Sequence, residues 1–160
     1  KAVEYANLIG KETVIDAYCG TGTISLFLAK KAKKVYGIEI VEPAVKDAIR
    51  NAENNKVENA EFIVGDAVEI MPDLYEKGIR PDVIVVDPPR AGCEKQVLES
   101  FANMNPTRIV YVSCNPASLA RDISILAELG YTAKEIQPVD MFGATSHVEV
   151  ICKLVKNTEA

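Results

Sequence analysis

Short apolar runs alternate with longer stretches of mixed polarity from one end of the chain to the other. The run Val83-Ile-Val-Val86 has no polar member, which is typical of a strand covered on both faces of a sheet. Pro43 indicates the first turn of a helix, and Gly130 indicates the residue just past a helix end. The pattern predicts strands at residues 13–17, 34–40, 61–64, 83–86, 108–112, 131–139 and 147–154. It predicts helices at residues 2–9, 43–55, 67–76, 94–104 and 116–130, and a loop with a helix at 20–33.

The last two predicted strands follow one another without a helix between them. A tight connection permits an antiparallel pair, whereas parallel neighbours require a long crossover. Five successive strand–helix units and a closing hairpin therefore predict an α/β fold, with a mostly parallel seven-stranded sheet and helices on both faces. Because no internal repeat or linker interrupts the 160 residues, we expect residues 1–160 to form a single domain.

Composition and charge narrow the range of partners. Hydrophobic residues make up 48% of the chain and charged residues 26%, which is ordinary for a soluble globular protein. We find no membrane-length apolar run and no signal peptide, so a cytoplasmic location without a membrane partner is expected. The net charge is −5, whereas a free-standing nucleic-acid binder usually has a basic surplus. If RNA is the partner, most phosphate contacts should come from outside this chain. The lysines within residues 30–34 are interpreted as a solvated helix end.

The cysteines and the lone histidine argue against a disulfide framework and against a metal site. The four cysteines include no Cys-x-x-Cys pair, and most lie in or beside predicted strands, so reduced thiols are expected. His147 is the only histidine, and the thiols lack the spacing of zinc ligands.

A glycine-containing loop links the first predicted strand to the first long helix. Gly20 and Gly22 allow the backbone to turn sharply and to approach a ligand. Ser25 stands where a dinucleotide-binding fingerprint requires a third glycine, and Asp16 would repel a pyrophosphate. A cationic nucleoside such as S-adenosylmethionine therefore fits this loop better than NAD. The loop positions expected to contact such a cofactor are Asp16, Tyr18, Gly20, Gly22 and Thr23.

Two further acidic residues follow predicted strands. Glu39 lies at the end of the second strand, where a carboxylate can accept hydrogen bonds from both ribose hydroxyls; a solvent-exposed strand end is the alternative. Asp66 follows the third strand and is suited either to the adenine amino group or to capping the next helix. Both roles of Asp66 are compatible.

Candidate chemistry lies at two other strand ends. The fourth predicted strand leads into Asp87-Pro-Pro-Arg90, and the fifth leads into Ser113-Cys-Asn-Pro116. Active crevices of open α/β sheets form at the carboxyl ends of the strands, so a thiol, a carboxylate and a guanidinium should face one crevice. That combination suits attack on an electron-poor, hydrogen-bonding ring.

These segments carry a family resemblance. The chain resembles the RNA uracil-C5 methyltransferases, which make 5-methyluridine in ribosomal or transfer RNA. The matching segments are Asp87-Pro-Pro-Arg-Ala-Gly92, Ile109-Val-Tyr-Val-Ser-Cys-Asn115, Val139-Asp-Met-Phe142 and Thr145-Ser-His-Val-Glu149, together with the glycine loop. The resemblance implies a Rossmann-like class I S-adenosylmethionine-dependent methyltransferase fold. It also implies transfer of a methyl group to C5 of a uridine in RNA, with 23S rRNA favoured over tRNA.

The chemistry of uracil explains the residue types. Uracil C5 is a poor nucleophile, and addition of a thiolate at C6 makes C5 electron-rich. Cys114 is the candidate, because a thiol ionises more readily than a hydroxyl. By resemblance, Glu149 removes the C5 proton, with His147 as a rival base. Asp87 would accept the N3–H of the ring and also approach the cofactor, and Arg90 would support the developing oxygen charge or orient its neighbours.

Departures from the family pattern leave alternatives open. Gly143 and Ala144 stand where the family has a proline and a larger residue, which affects the placement of Glu149. A cofactor-contacting glutamine and an RNA-binding β-barrel usually precede this region, and the sequence at hand contains neither. One alternative is an RNA cytosine-C5 methyltransferase, although a neutral or donor partner would be expected in place of Asp87. Another is a cofactor-binding fragment that is inactive without its RNA-binding region.

Overall fold

The computed structural model describes residues 1–141, 143, 145 and 148–157. The strands are β1 Thr13–Ala17, β2 Lys34–Glu39, β3 Ala60–Val64, β4 Val83–Val86, β5 Arg108–Ser113, β6 Tyr131–Val139 and β7 Glu149–Lys156. The helices are α1 Ala2–Ala6, α2 Thr23–Ala29, α3 Glu42–Asn54, α4 Ala67–Glu76, α5 Lys95–Met104 and α6 Pro116–Glu128. All predicted elements are present, with small differences at their ends.

The strands form one sheet in the order β3-β2-β1-β4-β5-β7-β6. β1 to β5 are parallel to their neighbours, and β7 runs antiparallel to both β5 and β6. The predicted mostly parallel seven-stranded sheet and its antiparallel hairpin are therefore confirmed. β7 lies inside the sheet, between β5 and β6.

Helices cover the sheet on both faces, and β4 shows how its side chains divide between them. Val83 and Val85 pack with α1 and α2, whereas Ile84 and Val86 pack with α4, α5 and α6. Successive side chains of a strand point to opposite faces, so a fully apolar strand is what a sheet covered on both sides requires. All four β4 side chains are fully buried.

Local signals set the helix ends. α1 ends at Ala6, earlier than predicted, because Asn7 adopts the left-handed conformation with φ 47°. α6 ends at Glu128, and Gly130 follows it with φ 92°, as predicted for a glycine just past a helix. None of the helices in the described ranges combines the length and the apolar character needed to cross a bilayer.

The strand order reverses between β1 and β4, which lie side by side at the centre of the sheet. Connections from these two strands leave in opposite directions, so a crevice opens at their carboxyl ends. The glycine loop follows β1 at this crevice, and the segment beginning with Asp87 follows β4.

Candidate active site

Two cavities open at the carboxyl edge of the sheet. The first cavity, of about 250 Å³, lies beside Tyr18, Glu39 and Asp66. The second cavity, of about 360 Å³, lies beside Asp87, Cys114 and Glu149. The segment 87–94 borders both, since Asp87 lines the second cavity while Pro89, Ala91, Gly92 and Glu94 line the first. Six of the sequence-predicted residues therefore fall into two adjoining groups.

The glycine loop depends on backbone conformations that side chains resist. Tyr18, Gly20 and Gly22 have φ values of 62°, 53° and 82°. A Cβ on Gly22 would lie 3.0 Å from Ala48 and 3.0 Å from Phe62, whereas nothing lies within 4 Å of the corresponding position on Gly20. Gly22 is thus required both for its dihedral angle and for its close approach to α3 and β3.

Asp16 lies fully buried at the base of this loop. One oxygen, Oδ2, accepts a hydrogen bond from the Ser25 hydroxyl, and the other, Oδ1, has no hydrogen-bond partner among the residues that the structure describes. Burial raises the pKa of Asp16 to about 7, the Ser25 hydrogen bond opposes the rise, and the charge on Asp87 adds to it. Asp16 is therefore not among the residues that line the first cavity. Its unpartnered oxygen is a feature that a bound donor or a cation would satisfy.

Glu39 holds the loop in place. Its Oε2 accepts from the backbone N–H of Gly20 at 3.0 Å, and its Oε1 accepts from that of Val41 at 2.9 Å. Each carboxylate oxygen has a second acceptor position, so these bonds leave capacity for ligand hydroxyl groups. Glu39 is half-buried in the cavity wall rather than a free strand end.

Asp66 caps α4, and it also borders the first cavity. Its Oδ1 accepts from the N–H of Val68 at 2.9 Å. The capping role is therefore confirmed, and the position of Asp66 on the wall keeps the second role available. Apolar side chains of Ile38, Ile40 and Val68 complete this part of the wall. Apolar surfaces flanked by two carboxylates suit a nucleoside, which has a flat base, ribose hydroxyl groups and an amino donor. They disfavour a phosphate-bearing ligand.

The second cavity brings the thiol and a carboxylate together through strand pairing. Ser113, the last residue of β5, pairs with Val150 of β7 in an antiparallel register. The next residues outward are Cys114 on one strand and Glu149 on the other, and both line the cavity. Cys114 is half-buried, so its sulfur has access to the cavity. A nucleophile and a base on adjacent strands can act on one bound ring.

Asp87 completes this group. The residue is exposed at the open rim of the cavity, yet partial burial of its carboxyl raises the pKa of Asp87, and the nearby Glu149 carboxylate raises it further. Asp87 thus interacts with Asp16 on one side and with Glu149 on the other. A carboxylate in this position can accept a hydrogen bond from a bound ring.

Other sequence-predicted residues lie next to the cavities rather than on their walls. Arg90 is exposed, and its backbone carbonyl accepts from Asn115 Nδ2 at 3.0 Å, which ties the Asp87 segment to the turn that holds Cys114. Gly20, Gly22 and Thr23 shape the loop but do not line the first cavity. The rival base His147 lies outside the described residues.

The remaining cysteines pack within the protein core. Cys19, Cys93 and Cys152 are buried, and burial raises the pKa of all three thiols, to about 12 for Cys93 and about 11 for Cys152. A protonated, enclosed thiol is a poor nucleophile. Cys114 differs from them by its partial exposure.

Sequence reasoning did not identify several wall residues. Ile24, in the first turn of α2, lines the second cavity together with Val112 and Ile151. Ala91 and Glu94 line the first. The position of Ile24 directly after the glycine loop was the available signal, because a loop at the switch point brings the start of the next helix to the crevice.

The chain matches known proteins over nearly its whole length. The family model "tRNA (Uracil-5-)-methyltransferase" matches residues 2–157. A protein of Clostridium tetani named "Uncharacterized RNA methyltransferase" is 63% identical over 151 residues, which are 94% of this chain and 33% of that protein. A protein of Clostridium acetobutylicum, also named as an RNA methyltransferase, is 60% identical over 158 residues, or 99% of this chain and 34% of that protein. The chain spans about a third of the length of these curated relatives.

Solved structures agree with the fold. The Pyrococcus abyssi tRNA (uracil-54, C5)-methyltransferase, solved in complex with S-adenosyl-L-homocysteine, has a TM-score of 0.81 and 38% identity, covering 96% of this chain and 37% of that one. A precorrin-6y C5,15-methyltransferase of Geobacter metallireducens has a TM-score of 0.82 at 14% identity, covering 97% of this chain and 86% of that one, which shows the fold alone. From the match of the family model over residues 2–157, the chain belongs to the tRNA (uracil-5-)-methyltransferase family.

Proposed function

We propose that this chain transfers a methyl group from S-adenosylmethionine to C5 of a uridine in RNA, through a transient bond between Cys114 Sγ and C6 of the base. The observation that carries the proposal is the common cavity of Asp87, Cys114 and Glu149, beside a second cavity with carboxylates suited to a nucleoside. Family membership supports the reaction class.

The first cavity fits the cofactor by its chemistry. Glu39 would hold the ribose hydroxyls, Asp66 the adenine amino group, and Tyr18 would pack on the nucleoside. The unpartnered oxygen of Asp16 and the absence of a basic group among the residues of this wall favour a cationic ligand over a phosphate. When bound, S-adenosylmethionine would supply an electrophilic methyl group.

The second cavity would act on the base. Asp87 accepts the N3–H and orients the ring, and the Cys114 thiolate forms a bond to C6 while the C5=C6 π electrons move toward the C4 carbonyl. C5 then bonds to the methyl carbon as that carbon leaves the sulfonium sulfur. Glu149 removes the C5 proton, the double bond re-forms, and the Sγ–C6 bond breaks to release the thiolate. The ring must be flipped out of any helix for both faces to be reached.

For the RNA itself, we propose 23S rRNA, with tRNA as the competing substrate. The family model and the P. abyssi enzyme are both named for tRNA. Methylation of total rRNA and total tRNA by the full-length protein, followed by nucleoside analysis, distinguishes the two. Incorporation only into tRNA would overturn the rRNA assignment without touching the reaction class.

A fluorinated base tests the mechanism directly. In 5-fluorouridine RNA the fluorine at C5 cannot leave as a proton, so the enzyme should remain bonded to the RNA in a denaturing gel. We expect this adduct with the full-length protein and its loss in Cys114→Ala and Cys114→Ser. An adduct that persists in Cys114→Ala would exclude Cys114 as the nucleophile. 5-Methylcytidine as the product would instead favour the cytosine-C5 alternative.

A further inference from the structure

A buried carboxylate on α6 holds the segment 87–94 by a direct hydrogen bond to its backbone. Asp122 is fully buried, and its Oδ2 accepts hydrogen bonds from the backbone N–H of Cys93 at 2.8 Å and from the Tyr111 hydroxyl. Tyr111 belongs to β5, so one carboxylate joins a helix, a strand and a loop. A buried carboxyl group is costly unless its oxygens accept hydrogen bonds, as both oxygens of Asp122 do.

Arg121 adds further hydrogen bonds to the backbone of the same loop. Its guanidinium pairs with Asp122 Oδ1, with Nε at 2.8 Å and Nη2 at 2.7 Å. The same Nη2 donates to the carbonyl of Ala91 at 2.8 Å and to that of Cys93 at 3.2 Å. The planar guanidinium can make these contacts together, which a lysine ammonium on a flexible chain cannot reproduce.

Gly92 makes the close approach possible. It has φ 80°, and a Cβ there would lie 2.6 Å from Arg121 Nη2 and 2.6 Å from Asp122 Oδ2. The loop backbone is therefore seated directly on the Arg121–Asp122 pair. This packing leaves little freedom for the segment 91–93 to shift without breaking the pair.

The placement of this pair connects the two cavities. Ala91 and Gly92 line the first cavity, and Asp87 at the start of the same segment lines the second. α6 begins immediately after the turn that holds Cys114, and Asn115 both caps α6 and donates to the carbonyl of Arg90. The helix that positions the nucleophile thus also fixes the wall of the cofactor cavity.

We propose that Arg121 and Asp122 are positioning residues that hold residues 91–93 of the cofactor wall in a fixed position relative to Cys114 and Asp87. The inference rests on the proposed function and adds residues that touch neither substrate nor cofactor. Its consequence is a shared effect: loosening the pair displaces both the cofactor wall and the reacting groups.

The test compares two arginines whose ion pairs have similar lengths but only one of which contacts the segment 87–94. Arg121→Ala and Arg121→Lys remove the loop contacts, whereas Arg50→Ala is the matched control, because Arg50 pairs with Asp47 on the exposed surface of α3 at 2.8 Å. In the full-length protein we measure the dissociation constant of S-adenosylhomocysteine, the rate of adduct formation on 5-fluorouridine RNA at saturating cofactor, and the melting temperature. Asp122→Asn serves as a second variant that keeps acceptor capacity toward Cys93 and Tyr111.

We expect both Arg121 variants to weaken cofactor binding and to slow adduct formation at saturating cofactor by roughly 10- to 100-fold, since small misplacements of reacting groups have effects of this size. Asp122→Asn should show smaller losses in both measurements, and Arg50→Ala none. If Arg121→Ala behaves as Arg50→Ala does, or loses only one of the two properties, the inference is wrong. If the unsubstituted protein forms no adduct, the proposed function fails instead, so the two failures are distinct.

Discussion

The carboxyl groups of Asp16 and Asp87 interact at the carboxyl ends of adjacent strands, and the charge on Asp87 adds to the effect of burial in raising the pKa of Asp16. Asp87 in turn has its own pKa raised by partial burial and by Glu149. The carboxyl groups of Asp16, Asp87 and Glu149 thus form a spatial series from the base of the glycine loop to the second cavity. Mutual repulsion among them makes the site sensitive to pH and favourable to a cation.

The first prediction concerns stability and Asp16. Its pKa rises from 3.8 to about 7 on folding, so the folded state holds a proton that the unfolded chain has released in that pH window. Stability should therefore fall as pH rises from about 4 to about 7, and the loss should be complete above that range. Asp16→Asn should remove this loss and raise stability near pH 8 by roughly 1–3 kcal/mol.

Urea denaturation of the ligand-free protein at a series of pH values checks this prediction. The exposed Asp47→Asn should leave the pH profile of the wild type intact. An Asp16→Asn profile parallel to that of the wild type would show that Asp16 does not titrate in this window. The same variant should bind S-adenosylmethionine more weakly, because it replaces the unpartnered oxygen by an uncharged group.

The second prediction separates the two candidate bases. In Glu149→Gln, Cys114 should still add to C6 and C5 of the base should still accept the methyl group. Removal of the C5 proton should be slowed by about 10²- to 10⁴-fold. A methylated covalent complex should then accumulate on ordinary uridine RNA, without fluorine. Denaturing gels and mass spectrometry detect it. Accumulation in His147→Gln, with normal turnover in Glu149→Gln, would assign the base to His147.

The third prediction concerns the choice of base. Asp87→Asn replaces a group that can only accept, when ionised, by an amide that can also donate. We expect kcat/KM for uridine to fall by about 10- to 100-fold, because a neutral amide oxygen accepts the N3–H less strongly than a carboxylate, by on the order of 1–2 kcal/mol. The relative rate on cytidine should rise, because the amide can donate to the unprotonated N3. Parallel assays on matched uridine and cytidine RNAs measure both rates. An unchanged preference would remove Asp87 from recognition of N3.

Asp87→Asn also allows a test of the carboxylate interaction without RNA. Removal of the Asp87 charge should lower the pKa of Asp16, since that charge raises it. The fall in stability with rising pH should then end at a lower pH than in the wild type. An unmoved upper limit would mean that burial alone determines the Asp16 pKa.

The fourth prediction compares two glycines of the same loop. Gly22→Ala places a Cβ at 3.0 Å from both Ala48 and Phe62 with φ 82°, whereas Gly20→Ala meets nothing within 4 Å. Gly20→Ala should cost about 1 kcal/mol for its left-handed conformation, and Gly22→Ala about 2–4 kcal/mol, because overpacking adds to that cost. Chemical denaturation gives both values, and equal losses would contradict the packing argument.

Much of the architecture was predictable because local signals and global packing agree. The uninterrupted apolar run of β4 corresponds to a strand buried on both faces, and the capping carboxylate of Asp66 corresponds to the start of α4. The end of α1 was predicted too late, since the left-handed conformation of Asn7 depends on how the chain turns toward β1.

The sequence indicated which residues belong to the candidate site, but not how deeply each is buried or which residues contact it. Strand ends indicated Asp87 and Cys114, because topology alone brings such ends together, whereas Glu149 was indicated by the family resemblance. Burial could not be inferred in the same way: sequence placed Asp16 at the ligand, while the fold encloses it beside Ser25. The roles of Arg121 and Asp122 depend on a contact across about 30 residues, which spacing does not indicate.

Because β7 lies between β5 and β6, a strand that follows both of them in the chain takes an interior place in the sheet. A nascent chain that ends before it would carry the sulfur nucleophile on an unprotected edge, with no proton acceptor opposite. The pairing of β7 with β5 thus completes both the sheet and the wall of the second cavity, so a chain truncated before Glu149 should form neither.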